Sequence, residues 1–573
     1  MQSASRRVDI YEGPIRLLFA LRCLDTNIDE AQLQIAQILT KINISREDEL
    51  LQDGFYKAVH EGEIAFTIMR RLKADSYWDI EVKEGVLYLQ CSSKTCGVNP
   101  DSAAWKLIHK LQNIPYKTLS DPDWNTYSTT YNLRLPVTPA FVVLPTSVEH
   151  VSNAITCAAQ YGLKIQAKSG GHSYGSYSNG GSDGAMVIDL RAFQDVQLGS
   201  NGIAKVGGGI RLGDLALTLY SQGKRALPHG TCAGVGIGGH FTHGGYGFSS
   251  RAWGLSMDQI VGLDVVMPNG RYVYASEDEN AELYYAMRGA ADSFGIVVNF
   301  YLLTRPVPEK VVNWFIDIND AVSSVESAVH AFSYIQSFAN DSSPIDRKLG
   351  FGIHLGPKRF GVGGTYFGSI EAFNSTIVPA LLGGIPVKPS IEAHEVDWLT
   401  SLKLLNGGND LRIGESYSAH SNFFAKSVTV PHPGMSKDAL TSYFSYLLNE
   451  GAHAPVQYFI TVDLYGGTDS QIRTKGPEFS AFSHRDAMWV AQHYGYVDDM
   501  DEFPAEGINF INGLNRAMTR NLAEFGAYEN YVDPTLTKEE AHALYYGDQL
   551  HGKLKALKRK LDPENVFAHP QSI

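Results

Sequence analysis

The sequence predicts an α+β protein, and three stretches carry that prediction. AFVVLP (140–145), SVEHVSNAITCAAQYG (147–162) and KIQAKS (164–169) read as strand, helix and strand in succession. LDVVMPNGRYVYAS (263–276) is a hairpin folded on Asn269-Gly270, a dipeptide suited to a tight primed turn. PVQYFITVDLYGG (455–467) alternates as a strand with one buried face does.

The elements follow in order. Residues 1–104 read as an N-terminal extension or a small α+β unit. IDEAQLQIAQILTKI (28–42) has helical spacing, and WDIEV and VLYLQ (78–82, 86–90) flank KEG as a short hairpin. From about 137 the pattern becomes regular. Thr146 and Glu149 form a T-x-x-E capping box that opens the first helix. MVIDL (186–190) is a strand, RLGDLALTLYSQG (211–223) an amphipathic helix, NAELYYAMRG (280–289) a helix and GIVVNFYLLT (295–304) a strand. A domain is expected over 105–305, a second, sheet-containing one over 306–505, and a C-terminal segment over 506–573. In that segment TKEEAHALYYGDQLHGKLKALKRKL reads as one long helix whose lysines form a solvated face.

Composition narrows the function. A net charge of −13 argues against a general affinity for nucleic acid or anionic membranes. No run is apolar enough to span a membrane. The first residues carry an apolar patch, but Arg16 and Arg22 interrupt it and no clean cleavage site follows, so it does not read as a signal peptide. Five cysteines (Cys23, Cys91, Cys96, Cys157, Cys232) show no metal-type spacing, and Cys91 and Cys96 could pair.

The glycines are concentrated between 168 and 247, in KSGGHSYGSY (168–177) and HGTCAGVGIGGHFTHGGYG (229–247). Gly234, Gly236 and Gly239 fit G-x-G-x-x-G, but that fingerprint needs a strand directly before it and a helix directly after. RALPHGTCA and HGGYG stand there instead. His229, Cys232, His240 and His243 could supply metal ligands, yet their spacing fits no common zinc pattern, and no metal is expected. The third reading is that both loops wrap one large anionic cofactor, glycine backbone N–H groups meeting a pyrophosphate while His172 and Cys232 face a flavin. Taken alone, His172 reads as a turn histidine and Cys232 as a small buried apolar residue.

KSGGHSYGSY, HGTCAGVGIGGHFTHGGYG, RGAADSFGIV and the tail DPENVFAHPQSI together resemble the berberine-bridge-type flavoprotein oxidases, most of all the fungal glucooligosaccharide and chitooligosaccharide oxidases. The likeness covers roughly residues 105–573. It implies a two-part FAD-binding domain of the vanillyl-alcohol-oxidase type, 105–305 with the returning C-terminal segment, and a substrate domain built on an antiparallel sheet with flanking helices. It implies FAD held bicovalently through His172 and Cys232. The cofactor loops carry over as Ser169, Gly170, Gly171 and Ser173, then Gly236, Gly238, Gly239 and His240, then Gly295, Ile296 and Val297. The reaction implied is oxidation of an oligosaccharide at its anomeric carbon to a lactone. Dioxygen takes the electrons and hydrogen peroxide forms. Relatives are mostly secreted, and the protein is expected to be a monomer.

Such a reaction needs a base for the hydroxyl proton. The resemblance points to a Y-x-N motif, which falls on Tyr528 and Asn530 in AYENYVD. A phenol is too weak a base unless it is ionised or linked to a carboxylate, and Asp463 in TVDLYGG is the candidate partner. Tyr174 is a candidate wall of the sugar site, or packs under the flavin. Two departures stand out. Ala290, Ala291 and Asp292 replace a run of glycines found in many relatives, and Asp292 puts a charge near a cofactor loop. The N-terminal hundred residues are the second. Open alternatives are an oxidase of a secondary metabolite on the same scaffold, and a flavin- or carbohydrate-binding protein without turnover.

Overall fold

The computed structural model describes residues 114–341, 345–414 and 417–573, and the backbone of four strands before them. The chain divides into two units, Met1–Gln112 and Asn113–Ile573. In the first, β1 (Arg6–Asp9), β2 (Leu18–Arg22), β3 (Trp78–Lys83) and β4 (Val86–Cys91) form a sheet ordered β1-β2-β4-β3. β3 and β4 are the expected hairpin, with Lys83 opposite Val86. The helix expected over 28–42 and the Cys91–Cys96 pairing lie outside the described residues.

The second unit begins with β5 (Tyr116–Lys117), β6 (Phe141–Val143), β7 (Ile165–Lys168) and β8 (Met186–Asp189), ordered β5-β6-β8-β7. β6 and β7 run parallel to β8, as the strand–helix–strand pattern requires. The connecting helix Val148–Gln160 starts one residue later than the sequence suggested. Ser147, not Thr146, is the N-cap, its hydroxyl accepting from the His150 N–H. Both residues can cap; the extended backbone of Ser147 decides.

Next come β9 (Val196–Leu198), β10 (Ile203–Gly207), β11 (Arg225–Ala226), β12 (Ile260–Val266), β13 (Tyr272–Ala275), β14 (Ile296–Leu303) and β15 (Arg305–Pro306). Five of them form a sheet ordered β13-β12-β14-β10-β9, while β11 pairs with β15. β12 and β13 are the hairpin turned by Asn269-Gly270.

The last sheet has seven strands: β16 (Val311–Asp317), β17 (Leu349–Gly356), β18 (Arg359–Tyr366), β19 (Ser390–Val396), β20 (Asn422–Pro431), β21 (Gln457–Leu464) and β22 (Ala487–Val497). Its order is β19-β16-β18-β17-β21-β22-β20, and every pairing is antiparallel. Along β21 the alternation is strict. Tyr458, Ile460, Val462 and Leu464 are buried in the core, and Phe459, Thr461 and Asp463 face the other way. The core face packs on the helices Val325–Asn340, Lys437–Glu450 and Ala505–Thr519 through side chains such as Phe332, Tyr443 and Trp489. Each such side chain contributes about 1.5–3 kcal/mol by leaving water.

Two features differ from expectation at the C-terminus. The long helix is two, Lys538–Tyr545 and Gly547–Leu561, because Gly547 takes φ +68° and ends the ladder. The lysine run is not wholly solvated either. Lys558 is buried, donating to Asp562 Oδ2 at 2.8 Å, Ser293 O at 2.6 Å and Phe567 O at 2.7 Å. Asp562 in turn accepts the N–H groups of Val566 and Phe567 and so fixes the tail.

A fully buried arginine joins the loop after the second glycine motif to the seven-stranded sheet. Arg251 donates to the carbonyls of Gly466 (3.0 Å), Asp346 (3.0 Å), Thr468 (2.6 Å) and Leu349.

Candidate active site

The outward face of the seven-stranded sheet and the two glycine loops enclose one cavity of about 1370 Å³. That exceeds the roughly 300–1,000 Å³ of an ordinary single-ligand pocket. Its walls include Ser169–Tyr174, Thr231–Gly236, Gly239 and His240 from the loops, and Asp463, Gln492 and Tyr528 from the sheet side and C-terminal segment.

The loops meet backbone to backbone. A Cβ on Gly170 would lie 2.2 Å from the Gly236 nitrogen, and one on Gly236 would lie 2.0 Å from the Gly170 nitrogen. No side chain fits at either position. Gly171 takes φ +78°, which turns the chain so that His172 enters the cavity. Ser169 links the loops further, donating to Gly208 O at 2.7 Å and accepting from the Gly238 N–H at 3.2 Å. The Ser173 hydroxyl accepts from the Tyr177 N–H. A Cβ on Gly239 would meet nothing within 4 Å, so this glycine faces open space.

His172 packs against two tyrosines, Tyr131 at 4.4 Å and Tyr417 at 6.0 Å between ring centres. Burial, helped by the Arg211 charge, pushes its imidazole down to about 3, so the ring is neutral. Cys232 is exposed to the cavity, and desolvation holds its thiol above the usual range. His240 also lines the cavity; its Nε2 accepts from the Gly230 N–H and burial pushes it to about 3.

Gly295, Ile296 and Val297 differ from expectation. They are not among the cavity walls. Ile296 and Val297 are buried in β14, and a Cβ on Gly295 would strike Val265 at 2.7 Å. Asp292, just before them, is the residue that reaches the cavity. It does not point to solvent. Its carboxylate holds His569 at 2.9 Å and lies 3.6 Å from His243. Burial pushes that carboxyl up, but the two imidazoles outweigh it and hold it well below the usual range. Burial likewise opposes protonation of His243, yet Glu529 and Asp292 raise it to about 9. Glu529, which accepts from the Tyr546 hydroxyl, is pushed by burial to about 8.

Tyr528 is 2% exposed. Its phenolic oxygen accepts the Gly245 N–H at 2.9 Å and the Asn530 amide at 2.9 Å. The Asn530 orientation is fixed because the same NH₂ faces the carbonyls of His240 and His243, both at 3.2 Å. Burial raises the phenol, and these donors pull against it. Asp463 stands in the same cavity, raised by burial to about 7. Among the described residues no hydrogen bond joins it to Tyr528; its charge acts on Tyr531, Tyr465 and Tyr246. The Tyr174 hydroxyl accepts from Gln492 at 2.8 Å, and its ring stacks on Tyr531 at 5.7 Å.

Sequence reasoning missed Tyr131, Tyr417, Gln492, Glu529, His569 and Gln571, all cavity walls. Only Glu529, His569 and Gln571 carried a signal, lying inside motifs already quoted.

The cavity fits a large polar cofactor. Among the described residues, Tyr177 Oη and Gln571 Oε1 are buried wall atoms with no hydrogen-bond partner. They cluster around His569, on which Tyr177 stacks at 4.2 Å. A buried polar atom left without a partner is costly, so these atoms call for a ligand bearing both donors and acceptors.

Comparisons agree with this. An FAD-binding-domain family model matches residues 139–276, and the berberine and berberine-like model matches 527–573. The chitooligosaccharide oxidase of Gibberella zeae is 36% identical over 466 residues, covering 80% of this chain and 92% of the relative. The solved xylooligosaccharide oxidase from Myceliophthora thermophila C1, in complex with xylobiose, is 33% identical. Its TM-score is 0.78, with 82% of this chain and 98% of that one covered. A solved glucooligosaccharide oxidase from Acremonium strictum, described with a 6-S-cysteinyl, 8α-N1-histidyl FAD, is 32% identical with TM-score 0.78, covering 82% and 98%. The chain belongs to the berberine and berberine-like family of FAD-linked oxidoreductases.

Proposed function

We propose that this protein oxidises the anomeric carbon of an oligosaccharide to a lactone, with FAD held bicovalently by His172 and Cys232. The observation that carries the proposal is the phenolic oxygen of Tyr528, buried in the cavity and receiving two N–H donors. Those donors partly offset the burial that holds the phenol above its usual range, and so lower the cost of ionising a group otherwise too weak as a base. Tyr528 takes the proton of the sugar's anomeric hydroxyl. Asp463 supplies a second acceptor in the same cavity. FAD, when bound, accepts the hydride and passes the electrons to dioxygen, giving hydrogen peroxide. His172 and Cys232 both face the cavity, and the imidazole is neutral, so a ring nitrogen has a lone pair available for bonding.

The walls suit a sugar. Phe315, Phe459 and Tyr496 offer apolar faces to pyranose C–H groups, while His354, His394 and Thr461 offer polar atoms to hydroxyls. Phe459 is 39% exposed, so the cavity reaches solvent there and a chain of sugars can extend outward.

The test is anaerobic bleaching of the purified protein at about 450 nm, where oxidised flavins absorb. Cello-, malto-, chito- and xylo-oligosaccharides are added one at a time. Bleaching by one series names the substrate class. No bleaching by any, in protein that dithionite reduces, sinks the oligosaccharide reading and favours a small apolar metabolite.

A further inference from the structure

We propose that Tyr417 is a positioning residue for flavin attachment: its hydroxyl holds His172 Nε2 and leaves Nδ1 as the bonding nitrogen. This rests on the covalent attachment proposed above.

Three observations carry it. Tyr417 Oη lies 3.2 Å from His172 Nε2. The imidazole packs against two rings, with Tyr131 inclined by 29° to it and Tyr417 by 18°. Tyr417 is itself held. The Arg211 guanidinium sits 4.5 Å above its ring and also donates to Gly234 O at 3.2 Å. The phenol tip then runs against the second glycine loop: a Cβ on Gly234 would lie 1.9 Å from Tyr417 Oη. So the hydroxyl is placed between His172 on one loop and Gly234, two residues beyond Cys232, on the other.

A neutral imidazole carries one proton. With Nε2–H donating to Tyr417 Oη, the Nδ1 lone pair is free to bond. In the attachment, one C–H bond of the flavin 8-methyl group and the imidazole N–H bond are lost, and a carbon–Nδ1 bond forms. Two electrons and two protons leave, and dioxygen takes them as hydrogen peroxide. Nε2 then has a lone pair instead of a proton, and the Tyr417 O–H turns to donate to it. A hydroxyl can accept in the first state and donate in the second; a phenylalanine ring can do neither.

The test isolates the histidine bond. Cys232→Ala, Cys232→Ala/Tyr417→Phe and Cys232→Ala/His172→Ala are purified as holoproteins. Two quantities are read: flavin bound in the native state, by absorbance, and flavin surviving acid precipitation, by absorbance and intact mass. Adding Tyr417→Phe is expected to leave native flavin unchanged and, in protein sampled over time after FAD is supplied, to slow the rise of acid-stable flavin about tenfold, the effect of one lost hydrogen bond. Equal acid-stable flavin with and without the Tyr417 hydroxyl overturns the proposal. If Tyr417→Phe binds no FAD, Tyr417→Gln decides, since it can donate and accept. Attachment at the parent level supports the role, and bound but unattached flavin overturns it. Wild-type protein without acid-stable flavin would instead sink the bicovalent reading itself.

Discussion

The Asn530 amide donates to the phenolic oxygen of Tyr528 at 2.9 Å, across a two-residue step in the chain. It can do so because its NH₂ is anchored by the carbonyls of His240 and His243, on the second glycine loop. The proposed base and the cofactor loop are therefore one hydrogen-bonded unit.

Tyr528→Phe is expected to lower the rate of flavin reduction by about a hundred- to ten-thousand-fold, as loss of a general base does. Covalent flavin content should not change. Asn530→Ala removes one donor, so the phenol ionises less readily. Reduction should slow about tenfold and its acid limb should move to higher pH. Stopped-flow reduction across pH checks both, and an unmoved limb in Asn530→Ala would sink the donor's role.

Asp463 accepts a proton only when ionised, and burial places that change near pH 7. Flavin reduction should fall as pH drops through about 7 in the wild type. Asp463→Asn should be slower and lack that step. A step that persists in Asp463→Asn assigns it elsewhere.

His243 titrates at about 9 in the folded chain against 6.5 for an ordinary imidazole. The stability it brings is complete below 6.5 and is lost as pH rises through 9. Glu529, at about 8 against 4.5, acts in the same direction, since the folded state keeps a proton the unfolded chain releases. Asp292 is opposite: its contribution is present above 3.8 and lost as pH falls through its lower folded value. The Tm of the cofactor-free chain should therefore decline from neutral to alkaline pH. Asp292→Asn should lower the neutral Tm and flatten that decline. Thermal scans across pH read both.

Two glycine substitutions separate folding from cofactor approach. Gly170→Ala drives a methyl group into backbone at 2.2 Å, which cannot yield as a side chain would. It should cost about 1–3 kcal/mol of stability and lose FAD. Gly239→Ala meets nothing within 4 Å, so the cofactor-free Tm should stay put. If the cofactor backbone passes there, FAD occupancy should still fall. Unchanged occupancy would place the cofactor away from Gly239.

The legible parts of this site lay in short, dense segments. The glycines around His172 and Cys232 mark two turns whose contact needs missing side chains, and that need is written locally. Asp463 came from the resemblance, and the strict alternation of β21 puts it on the cavity face. What stayed hidden was long-range. Tyr417 meets His172 across 245 residues, and nothing near either predicts the other. Asp292 was noticed as a departure, but its partners His243 and His569 come from two other segments. Gly295–Val297 travelled with a motif that joins a cavity residue to a buried strand. In the C-terminal helix the periodic lysines outweighed the glycines, so neither the break at Gly547 nor the burial of Lys558 was read.

Arg251 sets a tolerance. Its guanidinium reaches from the cofactor-loop side of the seam to four carbonyls of the substrate-sheet side, at Asp346, Leu349, Gly466 and Thr468. The gap across which a hydride would pass is thus gauged by one planar group rather than by yielding apolar contact. Such a clamp leaves little play for the two halves to hinge, so a sugar must enter an already assembled site. Selectivity then falls to the fixed shape of the entrance, and swapping its wall residues should change which sugars enter without retuning the chemistry beneath.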